Sequence, residues 1–450
     1  MTPIALVLAA MFAVGTCLGS LVNWAIYSLA WNWRSISPWS PSPDGARLRD
    51  WLDRLPMVGW LRLRREAVIH GRGFWIRPLL LEVCTGAAVA ALYWWEVDQL
   101  GLVRGQSAAA ISPPLGPLYW QFAGHVLLLC WMLAASLIDI DEQLIPDEIT
   151  VTGTLLGLAL ATLVPMSLLP QVAERAESPV VGAALQAVGS GQALGPNGSP
   201  LWLEPVTAVA PNAWPPDWGV PGYWRSLVMA LGCYWLWCFA LAPRIWRGRR
   251  GPTVALRLIA ARLNRELSRP PLRRFLLAGT FVIVLVWAVA AQGWWHGAQL
   301  AWAGLLTALV GLVGSGCIVW AVRLIGTAAL RREAMGFGDV TLMMMIGTFL
   351  GWQACIVVFF LSPFAALVVG LLQFILRRDD VIPFGPFLCL AAAAVAVYWA
   401  EIWNRASPIF AMGWLVPAAL GVCLILLGVI LAVWRKIKSM LFGESDGPAD

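Results

Sequence analysis

The chain has 450 residues, of which 60% are hydrophobic and only 12% are charged, and its mean hydropathy is +0.73. Soluble globular proteins contain about 45–50% apolar and about 25% charged residues, so this composition excludes an ordinary soluble domain. The net charge of +6 is attributed to membrane topology, and nucleic acid is not expected as a partner.

The apolar residues form runs that are long enough to cross a membrane, because about 20 helical residues span a hydrocarbon core about 30 Å thick. These runs are continuously apolar and do not alternate every second residue, which argues against a β-barrel. The sequence therefore predicts an all-α, polytopic membrane bundle of about 10 or 11 transmembrane helices. In chain order, the predicted spans are residues 4–29, 78–95, 118–138, 148–169, 225–243, 275–292, 300–323, 340–351, 354–376, 385–402 and 411–434.

The arginines determine the predicted orientation. Nine arginines fall in residues 31–77 and ten in residues 244–274, whereas residues 170–224 contain only Arg175. Basic loops stay in the cytoplasm. The two arginine-rich segments are therefore predicted inside, and the long connection and the amino terminus outside. Because successive spans cross the membrane in opposite directions, two further loops are also predicted inside, residues 139–147 and 324–339.

The cysteines and histidines do not predict a metal site. All nine cysteines lie in apolar runs and none forms a C-x-x-C pair, so a zinc or disulfide framework is not expected. The three histidines, His70, His125 and His296, are too far apart along the chain to suggest a site by their spacing.

An acidic cluster follows the third predicted span. Its sequence is D-I-D-E-Q-L-I-P-D and includes Asp139, Asp141, Pro146 and Asp147. Carboxylates beside a membrane are costly unless they face water or serve a function, so they are the first candidates for chemistry. Pro146 disfavours a helix at the preceding residue. The third helix should therefore end near Pro146, and Asp147 should cap the fourth.

A second cluster, Gly336-Phe-Gly338-Asp339, opens a later apolar run. Its glycines permit close approach of the backbone and deliver Asp339 to the start of a helix. Both clusters lie on the same predicted face, so two carboxyl groups from different helices can meet at one membrane depth. Such a pair suits aspartic-protease chemistry, in which two neighbouring carboxyl groups share one proton. One member activates water while the other polarises the scissile carbonyl.

These two stretches resemble the signature motifs of bacterial type IV prepilin peptidases, D-x-D-x-x-x-I-P-D and G-x-G-D. Further segments agree with that family in the same order along the chain. They are Gly19–Tyr27, Leu55–Leu61, Arg77–Glu82 and the stretch Ile382–Phe387, which contains Pro383, Gly385 and Pro386. The resemblance covers about two thirds of the chain.

The resemblance implies that Asp139 and Asp339 are the catalytic pair of an intramembrane aspartic endopeptidase. It implies cleavage of the leader from prepilins or pseudopilins at the cytoplasmic face of a bacterial inner membrane, with no cofactor for that step. The residues expected to support the motifs are Asp141, Pro146, Asp147, Gly336, Gly338, Pro383, Gly385 and Pro386.

The chain departs from the family in its first basic loop. Family members carry two C-x-x-C pairs there, which bind zinc and support N-methylation of the product with S-adenosylmethionine. The corresponding residues 35–77 contain no cysteine, and His70 is their one histidine. Zinc is therefore not expected, while N-methylation with S-adenosylmethionine stays open.

Four regions are expected. Residues 1–117 form an amino-terminal membrane region with the basic loop, and residues 118–169 together with 300–403 form the peptidase core. Residues 170–299 are an insertion with an external loop, two extra spans and an arginine-rich cytoplasmic segment that suits contact with anionic lipid. Residues 404–450 supply the last span and a cytoplasmic tail.

Other interpretations remain open. Asp339, like Asp147, could simply cap a helix. A catalytically silent membrane assembly protein is the main alternative function, and a transporter is disfavoured because the carboxylates sit at the ends of spans. Signal-peptide peptidases and presenilins also use G-x-G-D, but they pair it with a Tyr-Asp dipeptide, and none precedes Gly336 here.

Overall fold

The protein is described from a computed structural model. The described residues are 3–31, 35–104, 115–174, 201–219, 222–241, 270–293, 296–330, 335–376 and 383–442. They are overwhelmingly helical, which confirms the predicted all-α membrane bundle. Most of the arginine-rich segment predicted at 244–274 lies outside the described residues.

The helices follow the predicted apolar runs closely. They are α1 (Pro3–Leu29), α2 (Val58–Leu63), α3 (Ala67–His70), α4 (Ile76–Tyr93), α5 (Leu115–Glu142), α6 (Asp147–Leu163), α7 (Trp224–Leu241), α8 (Pro270–Ala291), α9 (His296–Leu330), α10 (Phe337–Leu376), α11 (Gly385–Val397), α12 (Trp399–Phe410) and α13 (Leu415–Phe442). Short 3₁₀ turns cover Trp51–Arg54, Arg64–Glu66, Gly101–Val103 and Pro165–Ser167, and α4 continues into a π-helical turn, Trp94–Asp98.

Fewer helices are long enough to cross a membrane than the sequence predicts. Within the described residues, eight helices are sufficiently long and apolar, or nine if the bent pair α11 and α12 is counted as one span. The predicted span 148–169 forms a helix of only 17 residues, α6, which at 1.5 Å per residue reaches about 26 Å. The predicted spans 340–351 and 354–376 correspond to the two parts of α10, which join at a non-helical residue, Gly351.

Two long helices are interrupted. Helix α10 breaks at Gly351, whose φ of 79° is accessible mainly to glycine. Helices α11 and α12 replace the predicted straight span 385–402 and are bent by 92° at Tyr398. The apolar composition of these segments predicts their burial in the membrane, but it carries no information about the direction of the chain after each break.

The centre of the bundle is built from α5, α6, α9, α10 and α11, and the most extensive packing joins α9 to α10. Gly311 and Gly347 face each other across this interface. A Cβ atom on either glycine would overlap the carbonyl oxygen of the other. Small residues of this kind let two membrane helices approach closely, so the α9–α10 pair forms a tight support for whatever is attached to its ends.

The predicted insertion contributes both helices and strands. Helices α7 and α8 are neighbours, and the Tyr234 hydroxyl donates to the Phe275 carbonyl at 2.8 Å. The connection before them contains a small antiparallel hairpin of β1 (Pro170–Glu174) and β2 (Leu201–Pro205). After β2, the chain packs against α9 and against α10 near its break at Gly351, where Gln353 donates to the Thr207 carbonyl at 2.8 Å.

The loop between α1 and α4, residues 35–75, is called the basic loop below. It is organised around Arg49, whose guanidinium pairs with Glu66 at 2.6 Å, with both side chains only 2% exposed. The same guanidinium donates to the carbonyl oxygens of Ser37 at 2.7 Å and Ser40 at 3.0 Å. One buried arginine thereby joins both ends of this loop.

A second carboxylate in the basic loop, Asp53, accepts from Arg62 at 2.8 Å and from Arg65 at 2.6 Å. Burial by itself would raise the pKa of Asp53, but the hydrogen bonds from the two arginines outweigh it and lower that pKa to about 2. The stabilisation from this site is therefore complete above about pH 4 and is lost only as the pH falls toward 2.

Glu82 of α4 fastens the basic loop to the membrane helices. It is 1% exposed and accepts from the Trp60 indole at 2.9 Å, the Asn23 amide at 3.3 Å and the Met57 backbone N–H. Because a buried carboxylate needs several donors to offset its lost hydration, this single side chain holds the basic loop, α1 and α4 together.

A further polar cluster lies far from that loop. The Nδ1 atom of His125 is 2.7 Å from a Glu96 carboxylate oxygen, and Gln121 lies one helical turn before His125 on α5. All three side chains are almost completely buried. Oε2 of Glu96, Nε2 of His125 and the Gln121 amide have no partner among the described residues, so bound water is the simplest way to satisfy them.

Replacing Arg49 with methionine should destabilise the basic loop. The change keeps an unbranched apolar stem but leaves the Glu66 carboxylate buried without its guanidinium partner, which costs about 3–5 kcal/mol. We expect faster chymotryptic cleavage at Trp51 and Trp60 in detergent-solubilised protein. Arg47→Met is the matched control, because Arg47 is exposed. Equal cleavage rates in the two variants would contradict the role assigned to the Arg49 pair.

Candidate functional site

Asp139 lies in the last turn of α5, and its side chain is buried, with 4% of the residue exposed. The helix ends at Glu142, and Gln143 takes a positive φ of 53°, so the chain turns just before Pro146 as the sequence predicts. The Gly385 backbone N–H donates to the Asp139 carboxylate. The carboxylate oxygen Oδ2 is buried and has no hydrogen-bond partner among the described residues.

Asp339 is the third residue of α10 and is 7% exposed. The Gly336 backbone N–H, just before the helix, donates to its carboxylate. An acidic side chain at the third position that reaches back in this way forms half of a capping box. Asp339 thus caps the start of α10, but capping alone does not explain why this side chain is buried beside another carboxyl group.

The two aspartates are brought together. Asp339 lies within electrostatic interaction range of Asp139, although 200 residues separate them in the sequence. Ile145 packs between the motifs: its side chain is the nearest neighbour of a Cβ atom placed on Gly338, and it also approaches Gly385. Asp139, Ile145, Gly338, Asp339 and Gly385 thus form one cluster, called the dyad site below.

The proline motif, which contains Pro383, Gly385 and Pro386, also borders the dyad site. Pro383 precedes α11, Phe384 is its N-cap residue and Pro386 occupies its first turn, where a missing N–H leaves no bond unmade. Gly385 begins the helix directly against Asp139, and a Cβ atom there would overlap Oδ2 of that aspartate. The neighbouring Ile382 lies outside the described residues.

The other acidic residues of the first motif lie at the edge of the dyad site. Asp141 accepts from Arg77 at 2.9 Å through both oxygens, and the Trp31 backbone N–H donates to Glu142 at 2.7 Å. Asp147 is exposed and is the first residue of α6, whose N-cap is Pro146. The prediction that Asp147 caps this helix is thus wrong by one position, because the proline already has the extended conformation of a cap.

Sequence reasoning missed Arg323 of α9. Its Nε atom donates to the Met335 carbonyl at 2.8 Å, and its charge lies within electrostatic range of Asp339. A basic residue at the end of a predicted span, followed by the G-x-G-D motif, was the available signal. This signal did not single out Arg323, because arginines at the ends of membrane spans are common and usually determine topology.

The basic loop does not fit a zinc site. It has no cysteine, and the Glu66 carboxylate, 3.5 Å from Nε2 of His70, is occupied by Arg49. Among the described residues, no three His, Cys, Asp or Glu side chains come close enough to hold a metal ion. The contacts that organise this loop are ion pairs and hydrogen bonds.

Comparison with known proteins identifies relatives of the dyad region. The family model described as the type IV leader peptidase family matches residues 126–189 and 272–371, which include both aspartates. The unmatched residues 190–271 fall inside the segment predicted to be an insertion. Gly385 and its proline motif lie beyond the match.

Curated relatives are described as prepilin leader peptidase/N-methyltransferase. The protein from Aeromonas salmonicida is 30% identical over 120 residues, which are 24% of this chain and 41% of the relative. The protein from Burkholderia pseudomallei is 29% identical over 125 residues, covering 27% and 39%. That from Pseudomonas aeruginosa is 32% identical over 102 residues, covering 22% and 35%. No solved structure matches.

The chain therefore spans about two fifths of the length of the curated relatives it matches. Within that span, the family model and the relatives confirm the resemblance to type IV prepilin peptidases that the sequence motifs predict. They also agree with the apolar helices in identifying a multi-pass membrane protein.

Gly385→Ala should destabilise the protein, because the added methyl group overlaps Asp139 and forces α11 away from α5. Overpacking of this kind costs about 1–3 kcal/mol, more than alanine gains from its helix propensity. Gly421→Ala in α13 is the control, since no atom lies within 4 Å of a Cβ atom there. In thermal unfolding in detergent, we expect a lower Tm for Gly385→Ala and an equal or higher Tm for Gly421→Ala. The reverse order would contradict the close contact.

Proposed function

We propose that this chain is an aspartic endopeptidase that cleaves the leader peptide of type IV prepilins or pseudopilins, with Asp139 and Asp339 as its catalytic pair. The observation that carries the proposal is the meeting of these two buried carboxyl groups at the ends of α5 and α10. The family model described as the type IV leader peptidase family matches residues that include both, and relatives described as prepilin leader peptidases match about a quarter of the chain.

The proposed reaction is hydrolysis of one peptide bond. One carboxylate takes a proton from a water molecule, whose oxygen attacks the scissile carbonyl, while the protonated partner donates a hydrogen bond to the carbonyl oxygen. A proton then passes to the leaving amine as the carbon–nitrogen bond breaks. Because two adjacent carboxyl groups titrate as one unit, neither role is assigned to a particular aspartate.

The surroundings of the pair suit a substrate with an apolar helix next to the scissile bond. Ile140 and Leu144 lie beside Asp139 and Ile145 and are 46% and 50% exposed. Apolar side chains in such positions can pack against an apolar helix that lies in the membrane. The dyad site itself lies where α5 ends and α10 begins, at one end of the bundle.

We place this end of the bundle at the cytoplasmic face of a bacterial inner membrane. The support is the arginine distribution. The basic loop joins the ends of α1 and α4 that lie near the dyad site, as the Arg77–Asp141 ion pair shows, and basic loops stay in the cytoplasm.

N-methylation with S-adenosylmethionine is a separate question. It is answered by the mass of the cleaved product, which increases by one methyl group if transfer occurs.

The decisive experiment is cleavage of a model prepilin, with a basic leader and a Gly-Phe junction, by purified protein in lipid vesicles. Asp139→Asn and Asp339→Asn should each lower the rate by at least about 1,000-fold, because an amide can neither accept the proton of water nor share one with its neighbour. Both substitutions keep the side-chain volume, so Tm should change little.

Asp44→Asn is the matched control, since Asp44 is an exposed aspartate of the basic loop. Asp141→Asn should stay within about tenfold of the wild type, because it removes only an ion pair at the protein surface. Full activity in either dyad variant would mean that other carboxylates are catalytic. A folded wild type that cleaves no prepilin or pseudopilin would favour the catalytically silent assembly protein.

A further inference from the structure

Arg323 and Asp339 are connected through a single peptide group. Nε of Arg323 donates to the Met335 carbonyl oxygen at 2.8 Å. The next backbone N–H in the chain, that of Gly336, donates to the Asp339 carboxylate. The carbonyl and the N–H belong to the same peptide unit, so one planar group is held by the arginine on one side and by the aspartate on the other.

The geometry of the peptide group makes these two contacts dependent on each other. A trans peptide is planar, and its C=O and N–H point in opposite directions. Holding the carbonyl oxygen therefore fixes the direction of the N–H. Glycine on the amide side makes this peptide intrinsically free to rotate, since Gly336 has access to backbone conformations that other residues avoid.

The guanidinium also contacts the residue that follows. Its central carbon lies 5.7 Å from the centre of the Phe337 ring, a distance that suits a cation–π contact. One side chain of α9 thus holds both the peptide before Gly336 and the ring after it, at the start of α10. Only arginine combines a planar group that can stack with a fork of directed donors.

We propose that Arg323 is a positioning residue for the dyad site, which orients the Met335–Gly336 peptide so that its N–H binds the Asp339 carboxylate in the geometry needed for catalysis. This inference rests on the proposed peptidase function. In this arrangement Arg323 acts on the dyad site through the peptide, the Phe337 ring and its charge, which lies within electrostatic range of Asp339.

The kinetic test compares Arg323→Met, Arg323→Lys and the wild type in the prepilin cleavage assay. Arg323→Met should lower kcat by about 10- to 100-fold, because small displacements of a catalytic group have effects of this size. KM should stay within about twofold, since the substrate-binding surface is unchanged. Arg323→Lys keeps the charge and a donor and should recover part of kcat. An unchanged kcat in Arg323→Met overturns the proposal.

Arg435→Met is the matched control. Arg435 also donates to a backbone carbonyl, that of Ala329 at the end of α9, at 3.0 Å. Its removal breaks the same kind of bond without touching the Gly336 peptide, so its kcat should equal that of the wild type. An equal loss of kcat in Arg435→Met and Arg323→Met would show a general disturbance of α9 and would overturn the positioning role.

Hydrogen–deuterium exchange separates this inference from the proposed function. In Arg323→Met, exchange should increase in the segment 335–339 and stay unchanged in α5. This readout is independent of turnover, so it still decides the inference if the wild type cleaves no prepilin and the peptidase proposal fails. Unchanged exchange in residues 335–339 overturns the positioning role, even if the peptidase activity is established.

Discussion

Burial of two carboxyl groups at the edge of an apolar bundle is the constraint on which the rest of the dyad site depends. Asp139 and Asp339 are almost inaccessible to water, and a carboxyl group in such a place is unfavourable unless nearby donors compensate. Backbone N–H groups of Gly385 and Gly336 supply that compensation. Both come from glycines, and a side chain at Gly385 would occupy the space of the Asp139 carboxylate itself. Glycine at position 385 is thus a consequence of the burial of Asp139.

The remainder of the bundle fixes the positions from which these groups approach. The close packing of α9 on α10 through Gly311 and Gly347 places the start of α10 beside the end of α9. The end of α5 is held independently by the amino-terminal region, through the contacts of Arg77 with Asp141 and of Trp31 with Glu142. The two carboxyl groups are therefore carried by two helices of the central bundle, α5 and α10, and the end of each helix also has contacts of its own.

Much of this architecture could be predicted from the sequence, because the thickness of a membrane imposes the length of each apolar helix. The two aspartate motifs were also readable, since charge at a membrane boundary is rare enough to be informative. The break at Gly351 coincides with the end of the predicted span 340–351, whereas the bend at Tyr398 was not predicted, because apolar composition reports burial and not direction. The pairing of Arg49 with Glu66 and the contact of Arg323 with Met335 join residues 17 and 12 positions apart. Their partners are set by how the chain folds back, which no local pattern encodes.

The buried polar cluster on α5 has a consequence for the depth of Asp139 in the membrane. His125 and Asp139 lie on the same continuous helix, 14 residues apart, and a rise of 1.5 Å per residue separates them by about 21 Å along its axis. An apolar helix can slide in lipid at little cost, whereas one with a polar side chain held at each end cannot. Helix α5 therefore works as a molecular ruler. The Glu96–His125 contact at one end of the helix fixes the axial distance between the buried polar cluster and Asp139 at the other end.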